Sequence, residues 1–444
     1  MSKKVLIMSA STGGGHNRAA RAIKEELTYK TIDGEPIVCE IIDSFKLINN
    51  TMDKIISGGY EKSAMYTPKA YGSVYRLAET NLLSKNEFKY NLLTSLLAKK
   101  LKELLIDTEP DLIIGTHPFP MIALSTLKKE FNTYTNLSSS TGTIAESIAE
   151  SIAESFYNNI DVPPMISVLT DYTTHSTWIQ NEISYYVVGH EYVKELLIYE
   201  GVEEDKIKAF GIPVEKSFLT HRDKETVLSE LGFDANKLTV LLMGGSFGAG
   251  NIKETFEELV STNRDFQILV ITGRNASLKE KLDKKIASMD LDKKVVILGF
   301  TNKMNDILAS IDLLITKPGG LTTTEALLKD VPMIVPYYIP GQEEENLDFL
   351  SNCGAALRTT KKYTLPVLLS VLIDDSSRLD MLKENIRSIR KTNSAQNISN
   401  LVVDILSNDS DVYNDLTDFE NVYIDDADIE ISPLIDNEIF SDEI

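Results

Sequence analysis

Short apolar runs rich in Val, Ile and Leu alternate along the chain with segments of helical periodicity. In the first half these runs are KVLIMSA, PIVCEII, DLIIGTH, MISVLTD and YYVVGH. In the second half they are LTVLLMGGS, FQILVITGR, KVVILGF, DLLITKPGG and VPMIVPYY. Continuous apolar runs with helices between them are typical of parallel strands that are covered on both faces. The pattern predicts an α/β protein with parallel sheets.

The series of runs restarts after residues 211–218, GIPVEKSF, where Gly and Pro interrupt the pattern. Because 444 residues are too many for one ordinary core, we expect two domains. A Rossmann-like domain is expected at 1–212. A second is expected at 213–407, ending in a closing C-terminal helix, with a central cleft between the two. Ligands of such sheets bind at the carboxyl ends of the strands.

Two segments look like additions to this plan. Residues 133–161 contain IAES three times in succession, and we interpret them as a surface insertion with weak helicity, since insertions in loops cost little. Residues 408–444 hold 13 acidic and no basic residues, a composition that predicts a mostly disordered acidic tail.

The composition, 43% hydrophobic and 25% charged, is that of a soluble globular protein. No apolar run approaches the ~20 residues of a membrane-spanning helix, and KKVLIMSA is too short for a signal peptide. Two cysteines, Cys39 and Cys353, make no disulfide framework, so we expect a cytoplasmic protein. The net charge of −21 disfavours nucleic acid as a partner.

The stretch SASTGGGHNR at 9–18 joins an apolar run to a helical pattern. Gly14 and Gly15 let a ligand approach the main chain, and the helix start offers N–H groups and the positive end of its dipole. His16 stands at that start. A neutral imidazole near physiological pH suits a general base, and the dipole favours the neutral form by lowering the pKa.

A second glycine loop, LLMGGSFGAG, again lies between a strand and a helix pattern. Four of its residues could donate hydrogen bonds to an anion: Gly244, Gly245, Ser246 and Gly248. Alone, the loop fits a tight turn as well as a nucleotide site.

The third loop, ITKPGGLTTTEAL, is the most informative. Its strand ends before Lys317, and a helix start follows the PGG turn, so its N–H groups and the lysine ammonium can hold a diphosphate without metal. Glu325, inside that helix, can accept two adjacent ribose hydroxyls. The candidate donor-binding residues here and in the following PGQEEEN stretch are Lys317, Pro318, Gly319, Gly320, Thr322, Glu325, Gln342, Glu343 and Asn346. The alternative is that Glu325 is only a favourable first-turn charge and that 342–346 is a solvated helix start.

Two further segments are candidates for binding a second substrate, the acceptor of a transferred group. TDYTTHSTW places Asp171, His175 and Trp178 at a strand end, where they either form a cleft wall or shape an acceptor site and help to position His16.

Residues 46–103 hold ten Lys or Arg and five Asp or Glu, interleaved with aromatic and aliphatic residues, as in segments that lie in a bilayer interface. The candidate contacts with an anionic membrane are Lys54, Lys62, Lys69 and Arg76. An amphipathic helix pair packed on the sheet is the alternative.

Together, STGGGH, TDYTTHSTW, GIPV, MGGSFGAG, NDILASIDLLITKPGGLTTTEAL and PGQEEEN resemble the diacylglycerol glycosyltransferase family over roughly residues 3–405. This GT28-like family includes processive diacylglycerol glucosyltransferases and monogalactosyldiacylglycerol synthases. The resemblance implies a GT-B fold, an N-terminal domain for the lipid acceptor, a C-terminal domain for the UDP-sugar and an inverting transfer.

The resemblance also assigns roles to residues. It puts His16 at the catalytic base, Glu325 at the ribose, Gln342 and Asn346 in the stretch that reads the donor sugar, and Phe300 beside the uracil. Ser11 stands where some members carry an acidic residue, which leaves open what orients His16.

We therefore expect an inverting enzyme that moves a hexose, with glucose the expected sugar, from a UDP-sugar to diacylglycerol. Whether it also glycosylates its product is left open. The β-glycosyldiacylglycerol would serve membrane glycolipid or lipid-anchor synthesis, with the enzyme attached peripherally to the inner face of the cell membrane. We expect no resident cofactor and no metal, since Asp-x-Asp occurs only at 290–292, 409–411 and 426–428, outside the glycine loops. The alternatives are galactosyl transfer, N-acetylglucosaminyl transfer to a polyprenyl-linked acceptor, and a non-catalytic UDP-sugar sensor.

Overall fold

The computed structural model describes residues 2–11, 14–48, 87–138, 162–245 and 251–407. The first half forms β1 (Lys4–Ser9), α1 (Gly15–Leu27), β2 (Thr31–Ile32), β3 (Glu35–Pro36), β4 (Val38–Asp43), α2 (Ser44–Ile48), α3 (Glu87–Thr108), β5 (Leu112–Gly115), α4 (Pro118–Ser138), β6 (Met165–Val168), β7 (Tyr185–Val187), α5 (Glu191–Tyr199) and β8 (Ile207–Lys208).

The second half forms α6 (Lys224–Glu230), β9 (Thr239–Met243), α7 (Ile252–Ser261), β10 (Gln267–Ile271), α8 (Ala276–Ala287), β11 (Val295–Leu298), α9 (Met304–Ser310), β12 (Leu313–Ile315), α10 (Gly320–Leu328), β13 (Met333–Val335), α11 (Gln342–Asn352), β14 (Ala356–Arg358), α12 (Leu365–Asp374), α13 (Ser377–Ile389) and α14 (Ser394–Ser407). Short 3₁₀ turns lie at Ser176–Trp178, Glu204–Lys206 and Lys216–Phe218.

Two six-stranded sheets organise these elements. Their strand orders are β4-β1-β5-β6-β7-β8 and β11-β10-β9-β12-β13-β14. Every pairing within them is parallel. Each apolar run of the sequence forms one of these strands, so the predicted α/β class with parallel sheets is confirmed. In each sheet the chain adds strands first on one side of β1 or β9 and later on the other side. The glycine loops that follow β1 and β9 therefore lie at switch points of the sheets.

The strands are apolar throughout because helices cover both faces of each sheet. On β1, Leu6 and Met8 belong to one core cluster and Val5 and Ile7 to another, and all four are almost fully buried. The same division separates two clusters around β9 in the second sheet. In such a sheet, alternate residues of a strand enter different layers of the core, so no face is left polar.

The last helix returns to the first sheet. Ile398, Leu401 and Val402 of α14 pack in one cluster with Ile7 of β1 and Ile23 of α1. The chain crosses between the sheets twice, and the two crossings touch, since the Ser394 hydroxyl donates to the Gly211 carbonyl oxygen at 2.6 Å. The first sheet ends at Lys208 and the second begins at Thr239, and the domain boundary at 212/213 stays a prediction.

Parts of several predicted segments can be placed. Helix α4 continues to Ser138, so residues 133–138 of the predicted insertion are helical, while the IAES repeat lies outside the described residues. Leu97, Leu101 and Leu105 of α3 are buried, so this end of the basic segment packs as an amphipathic helix. The acidic tail and the four candidate membrane contacts, Lys54, Lys62, Lys69 and Arg76, also lie outside the described residues.

Candidate active site

The first glycine loop turns the chain from β1 into α1. Gly14 caps the helix with φ +79°, a left-handed conformation that glycine adopts without strain. Ser9, the last residue of β1, donates its hydroxyl to Oδ1 of Asn17 at 2.6 Å and so ties strand to helix. The imidazole of His16, the second residue of α1, is thereby held at the carboxyl end of β1.

The hydrogen bonds of His16 define its tautomer. Nδ1 lies 2.7 Å from the carbonyl oxygen of Thr116 and 2.9 Å from the hydroxyl of Thr170. A carbonyl oxygen only accepts, so Nδ1 carries the proton and Nε2 holds the lone pair. The hydroxyl of Thr116 in turn donates to the carbonyl oxygen of His16 at 3.1 Å. Nε2 is therefore the ring nitrogen that can accept a proton, and the role of His16 as a base stays a prediction.

A second histidine lies against this base. The rings of His16 and His117 meet edge to face with centroids 4.7 Å apart, and Nδ1 of His117 accepts the Phe119 N–H at 3.1 Å. Burial lowers the pKa of His16, an effect that the Asp171 carboxylate and the Thr116 carbonyl partly oppose. Burial, with His16 adding to it, holds the pKa of His117 well below its usual value. Both imidazoles are therefore neutral at physiological pH.

Ser11 does not orient the base. Its hydroxyl donates to Oδ2 of Asp43, and it accepts Nδ2 of Asn17 at 3.1 Å. These contacts join the loop after β1 to the end of β4. Within the described residues, the groups that orient His16 are Thr116 and Thr170, which follow β5 and β6.

Across the cleft, α10 begins at the third glycine loop. A Cβ added to Gly320 would lie 1.9 Å from the Thr170 carbonyl oxygen, so the two domains touch here at backbone distance. A Cβ added to Gly15 would lie 3.9 Å from Cβ of Leu321. The first turns of α1 and α10 therefore face each other, and both present helix N-termini to the same space.

Glu325 lies one turn further along α10 and is 3% exposed. Arg18 of α1 donates from Nη1 to its Oε1 at 2.5 Å, which forms an ion pair between the domains. Burial raises the pKa of Glu325 to about 7, with the Arg18 guanidinium opposing the rise and Glu215 adding to it.

Lys317 and Glu343 form an ion pair beside the start of α10. Glu343 also accepts the Ile339 N–H at 2.8 Å, so its carboxylate fixes the loop before α11. Gly341 precedes Gln342 with φ +106° and lets the chain enter α11. Pro318 and Gly319 lie between Lys317 and α10, and Thr322 is partly exposed in its first turn.

Asn346 is fully buried where the domains meet. Its Nδ2 donates to Oδ1 of Asp171 at 2.8 Å and to the Pro318 carbonyl oxygen at 3.0 Å, and its Oδ1 accepts the Tyr172 N–H at 2.7 Å. Tyr172 also stacks on Phe349 with centroids 4.5 Å apart. Asn346 thus holds the 171–172 turn of the first domain against the second, and its role towards a sugar stays a prediction.

The second glycine loop is described only in part. Gly244 and Gly245 follow β9, Gly245 with φ +72°, whereas Ser246 and Gly248 lie outside the described residues. Phe300 is 64% exposed, with the guanidinium of Arg274 5.4 Å from its ring centroid.

His175 accepts the Thr177 N–H at 3.2 Å and caps a 3₁₀ turn, and Trp178 is buried in the core of the first domain. Both therefore have structural contacts within the first domain, and their role in acceptor binding stays a prediction.

Sequence reasoning missed four residues of this site. Thr116, His117 and Thr170 follow strands β5 and β6, and the carboxyl end of a parallel strand was the available signal. Arg18 gave no signal, because its partner is 307 positions away.

Two family models match the chain in succession. Residues 16–139 and 155–214 match monogalactosyldiacylglycerol (MGDG) synthase, and residues 239–402 match the glycosyltransferase family 28 C-terminal domain. A processive diacylglycerol beta-glucosyltransferase of Bacillus licheniformis is 29% identical over 407 residues, 89% of this chain and 93% of that protein. The chain is therefore similar to the diacylglycerol glycosyltransferases over most of its length. It is a UDP-sugar-dependent hexosyltransferase.

Solved structures agree on the fold. The crystal structure of MurG from Acinetobacter baumannii superposes with a TM-score of 0.52 at 15% identity and covers 90% of this chain and 99% of its own. CalG4, the calicheamicin glycosyltransferase, gives 0.55 at 11% identity and covers 92% and 100%. The glycosyltransferase has the GT-B fold, as the sequence motifs implied.

Two features of the described residues bear on metals and membranes. No group of three or more His, Cys, Asp or Glu among them could hold a metal ion. None of the helices in the described ranges is long and apolar enough to span a membrane.

Proposed function

We propose that this glycosyltransferase moves glucose from UDP-glucose to the hydroxyl of 1,2-diacylglycerol and inverts the anomeric carbon. One observation carries the proposal: the His16 imidazole has its lone pair on Nε2, and its helix faces the first turn of α10 across the cleft. The name of the Bacillus licheniformis relative, a diacylglycerol beta-glucosyltransferase, supports both the lipid acceptor and the sugar.

In the proposed reaction, Nε2 of His16 removes the proton from the acceptor hydroxyl. The hydroxyl oxygen forms a bond to C1 of the sugar as the bond from C1 to the diphosphate oxygen breaks, and UDP leaves with the bonding electrons. A single displacement inverts C1, so an α-linked UDP-glucose gives a β-glucoside. The Nδ1–H bonds to Thr116 and Thr170 stabilise the imidazolium that forms.

The departing diphosphate is assigned to the start of α10. Its N–H groups at Gly320 to Thr322 and the positive end of the helix dipole favour an anion. Lys317 lies at this end of the helix and supplies an ammonium, which Glu343 holds in place. No metal takes part in the proposed step.

The rest of the donor is assigned to the second domain. Glu325 accepts the ribose hydroxyls, Phe300 flanks the uracil, and Gln342 and Glu343 lie along the sugar. Asn346 is assigned an indirect role, because its buried amide fixes the 171–172 turn beside them. The product is then either released or returns as acceptor for another round, which would make the enzyme processive like its named relatives.

The enzyme is also proposed to act at the inner face of the cell membrane. Diacylglycerol stays in the bilayer, so a peripheral enzyme has to bring its cleft to the lipid surface. The basic and aromatic residues of 46–103 support such an attachment.

The test is transfer by the purified protein. It is incubated with diacylglycerol liposomes and radiolabelled UDP-glucose or UDP-galactose, with and without excess EDTA, and the lipids are separated by chromatography. We expect a glucosyl product that a β-glucosidase cleaves, formed equally in EDTA. Loss of most transfer in EDTA, restored by Mn²⁺, would contradict the assignment of the diphosphate to α10.

Two histidine variants test whether His16 takes part in the transfer. His16→Ala should lower kcat by roughly 10²- to 10⁴-fold, the usual contribution of a general base. His221→Ala, at an exposed histidine, should leave kcat unchanged. Transfer by the His16 variant near the wild-type rate removes His16 from the mechanism, and UDP-glucose binding without any lipid product favours the sensor alternative.

A galactosyl product is the second candidate. The match of residues 16–139 and 155–214 to the MGDG synthase model supports it. The UDP-galactose arm of the same assay distinguishes it from glucosyl transfer.

A further inference from the structure

Arg18 forms an ion pair that the proposed function leaves without a role. It lies on α1, two residues after His16, and reaches across the cleft to Oε1 of Glu325 at 2.5 Å. The Arg18 side chain is 28% exposed and that of Glu325 is 5% exposed. The bond between this guanidinium and the carboxyl is strongest when both groups are charged.

The surroundings of Glu325 disfavour its charged form. Burial raises the pKa of its carboxyl to about 7, and the nearby Glu215 adds to the rise. Glu215 is itself bound by Arg21 at 2.8 Å, and Lys329, one turn along α10, donates to the Thr220 carbonyl oxygen at 2.9 Å. Arg18 is thus the cation on the described elements that contacts Glu325 directly.

The contact leaves one carboxylate oxygen available. Arg18 bonds Oε1, and among the described residues Oε2 has no hydrogen-bond partner. A carboxylate that accepts two ribose hydroxyls has to be ionised, because a protonated carboxyl would turn one acceptor oxygen into a donor.

We propose that Arg18 is a positioning residue for the donor, which keeps Glu325 ionised and presents its free oxygen to the ribose only when the two domains are closed. The inference rests on the proposed function, which assigns the ribose to Glu325. With this role for Arg18, the affinity of the second domain for the nucleotide depends on the first domain. The reason is that Arg18 belongs to the domain proposed to bind the acceptor, and Glu325 to the domain proposed to bind the donor.

A pH dependence follows. Ionised Glu325 increases as pH rises through its pKa of about 7, so UDP-glucose should bind more tightly at pH 8 than at pH 6. Without the guanidinium the pKa rises further. An increase of one unit would leave about a tenth of the carboxyl ionised at pH 7, and affinity there should fall about fivefold.

The experiment is calorimetric titration of the full-length protein with UDP-glucose, without acceptor, between pH 6 and pH 8.5. The diphosphate of UDP-glucose has no group that titrates in this range. The proteins are wild type, Arg18→Gln, Arg18→Lys, Arg21→Gln and Glu325→Gln. Thermal unfolding shows whether each variant is folded.

The expected results separate charge from packing. Arg18→Gln should move the midpoint of the affinity curve to higher pH, with the loss at pH 7 largely recovered at pH 8.5. Arg18→Lys keeps a cation and should give a curve between those of Arg18→Gln and wild type. Arg21→Gln removes another cation that bridges α1 to Glu215, in an exposed pair, and should give the wild-type curve.

The two proposals fail in different ways. If Glu325→Gln binds UDP-glucose as wild type does, the assignment of Glu325 to the ribose is wrong. If Glu325→Gln binds weakly but Arg18→Gln keeps the wild-type midpoint, only the role of Arg18 is overturned. Tighter binding by Arg18→Gln also overturns it, because Arg18 would then compete with the ribose.

Discussion

The proton of the His16 imidazole is placed by two groups from other elements, the Thr116 carbonyl oxygen and the Thr170 hydroxyl. Neither is an acid, so no carboxylate among the described residues is bonded to the ring. The negative charge of Asp171 acts at longer range and partly offsets the effect of burial on the pKa. A base of this kind gains orientation without becoming strongly basic, so it stays neutral at physiological pH.

This residue-scale arrangement predicts a pH profile. The pKa of His16 is lowered from 6.5, so most of the base is still neutral at that pH. At saturating UDP-glucose, kcat should decline towards acid with a midpoint below pH 6.5. The measurement is the initial rate of lipid glycosylation from pH 5 to 8.5.

Saturation with donor keeps the titration of Glu325 out of this profile. Thr170→Val, which removes one of the two acceptors at Nδ1, should lower kcat severalfold and leave the donor KM unchanged. A midpoint above 6.5 in the wild type would contradict the neutral, buried base.

At the scale of elements, the contact between α10 and the 171–172 turn brings the two domains together. Asn346 of α11 bonds that turn at both Asp171 and Tyr172, and Tyr172 OH lies 3.0 Å from the hydroxyl of Thr324 on α10. Gly320 makes the approach possible because it has no side chain. Closure therefore depends on a glycine in the first turn of the proposed diphosphate helix.

Gly320→Ala tests this dependence. Its Cβ would lie 1.9 Å from the Thr170 carbonyl oxygen, so the domains would have to move apart. Overpacking of this kind costs about 1–3 kcal/mol, and kcat should fall by about tenfold or more. Gly299→Ala is the control, because its Cβ would meet no atom closer than 3.8 Å and should leave kcat unchanged. Equal rates for the two variants would show that closure does not need this contact.

The same elements show what the sequence could predict. The ten apolar runs picked out in the sequence all form strands, whereas β8 (IK) and β14 (ALR) hold too few apolar residues to show a run. The three glycine loops could be found because glycines that follow a strand add nothing to a core and mark a tight turn or a ligand site. Thr116 and Thr170 follow strand ends, which was an available signal, but their contacts with His16 could not be predicted because they are at least 100 positions away. Arg18 gave no signal, because its partner Glu325 is 307 positions away.

At the scale of the whole molecule, charge is unevenly distributed. The chain carries −21, yet residues 46–103 hold ten basic and five acidic side chains. Such a segment is attracted to an anionic leaflet, where each basic side chain contributes about 1 kcal/mol. The buried leucines of α3 leave the earlier part of this segment as the candidate contact.

Sedimentation with liposomes that contain anionic lipid tests the membrane assignment. The variant replaces four basic residues with Gln at once: Lys54, Lys62, Lys69 and Arg76. This replacement should lower the bound fraction of protein strongly, and raising the salt concentration should lower it too. The matched control replaces Lys279, Lys281, Lys284 and Lys285 of α8 with Gln, which removes the same charge from the other domain. Unchanged binding by the first variant would refute the assignment.

The paired crossings at Gly211 and Ser394 also constrain how the enzyme can move. Two neighbouring peptide segments join the halves, and a Cβ on Gly211 would lie 2.5 Å from Cβ of Lys391, so the segments are in contact. A single tether would allow swivelling in any direction, whereas two adjacent tethers oppose twisting and leave bending as the easy motion. The cleft should therefore open and close by a hinge motion about these two segments. Each closure then returns Arg18 and His16 to the same positions opposite α10.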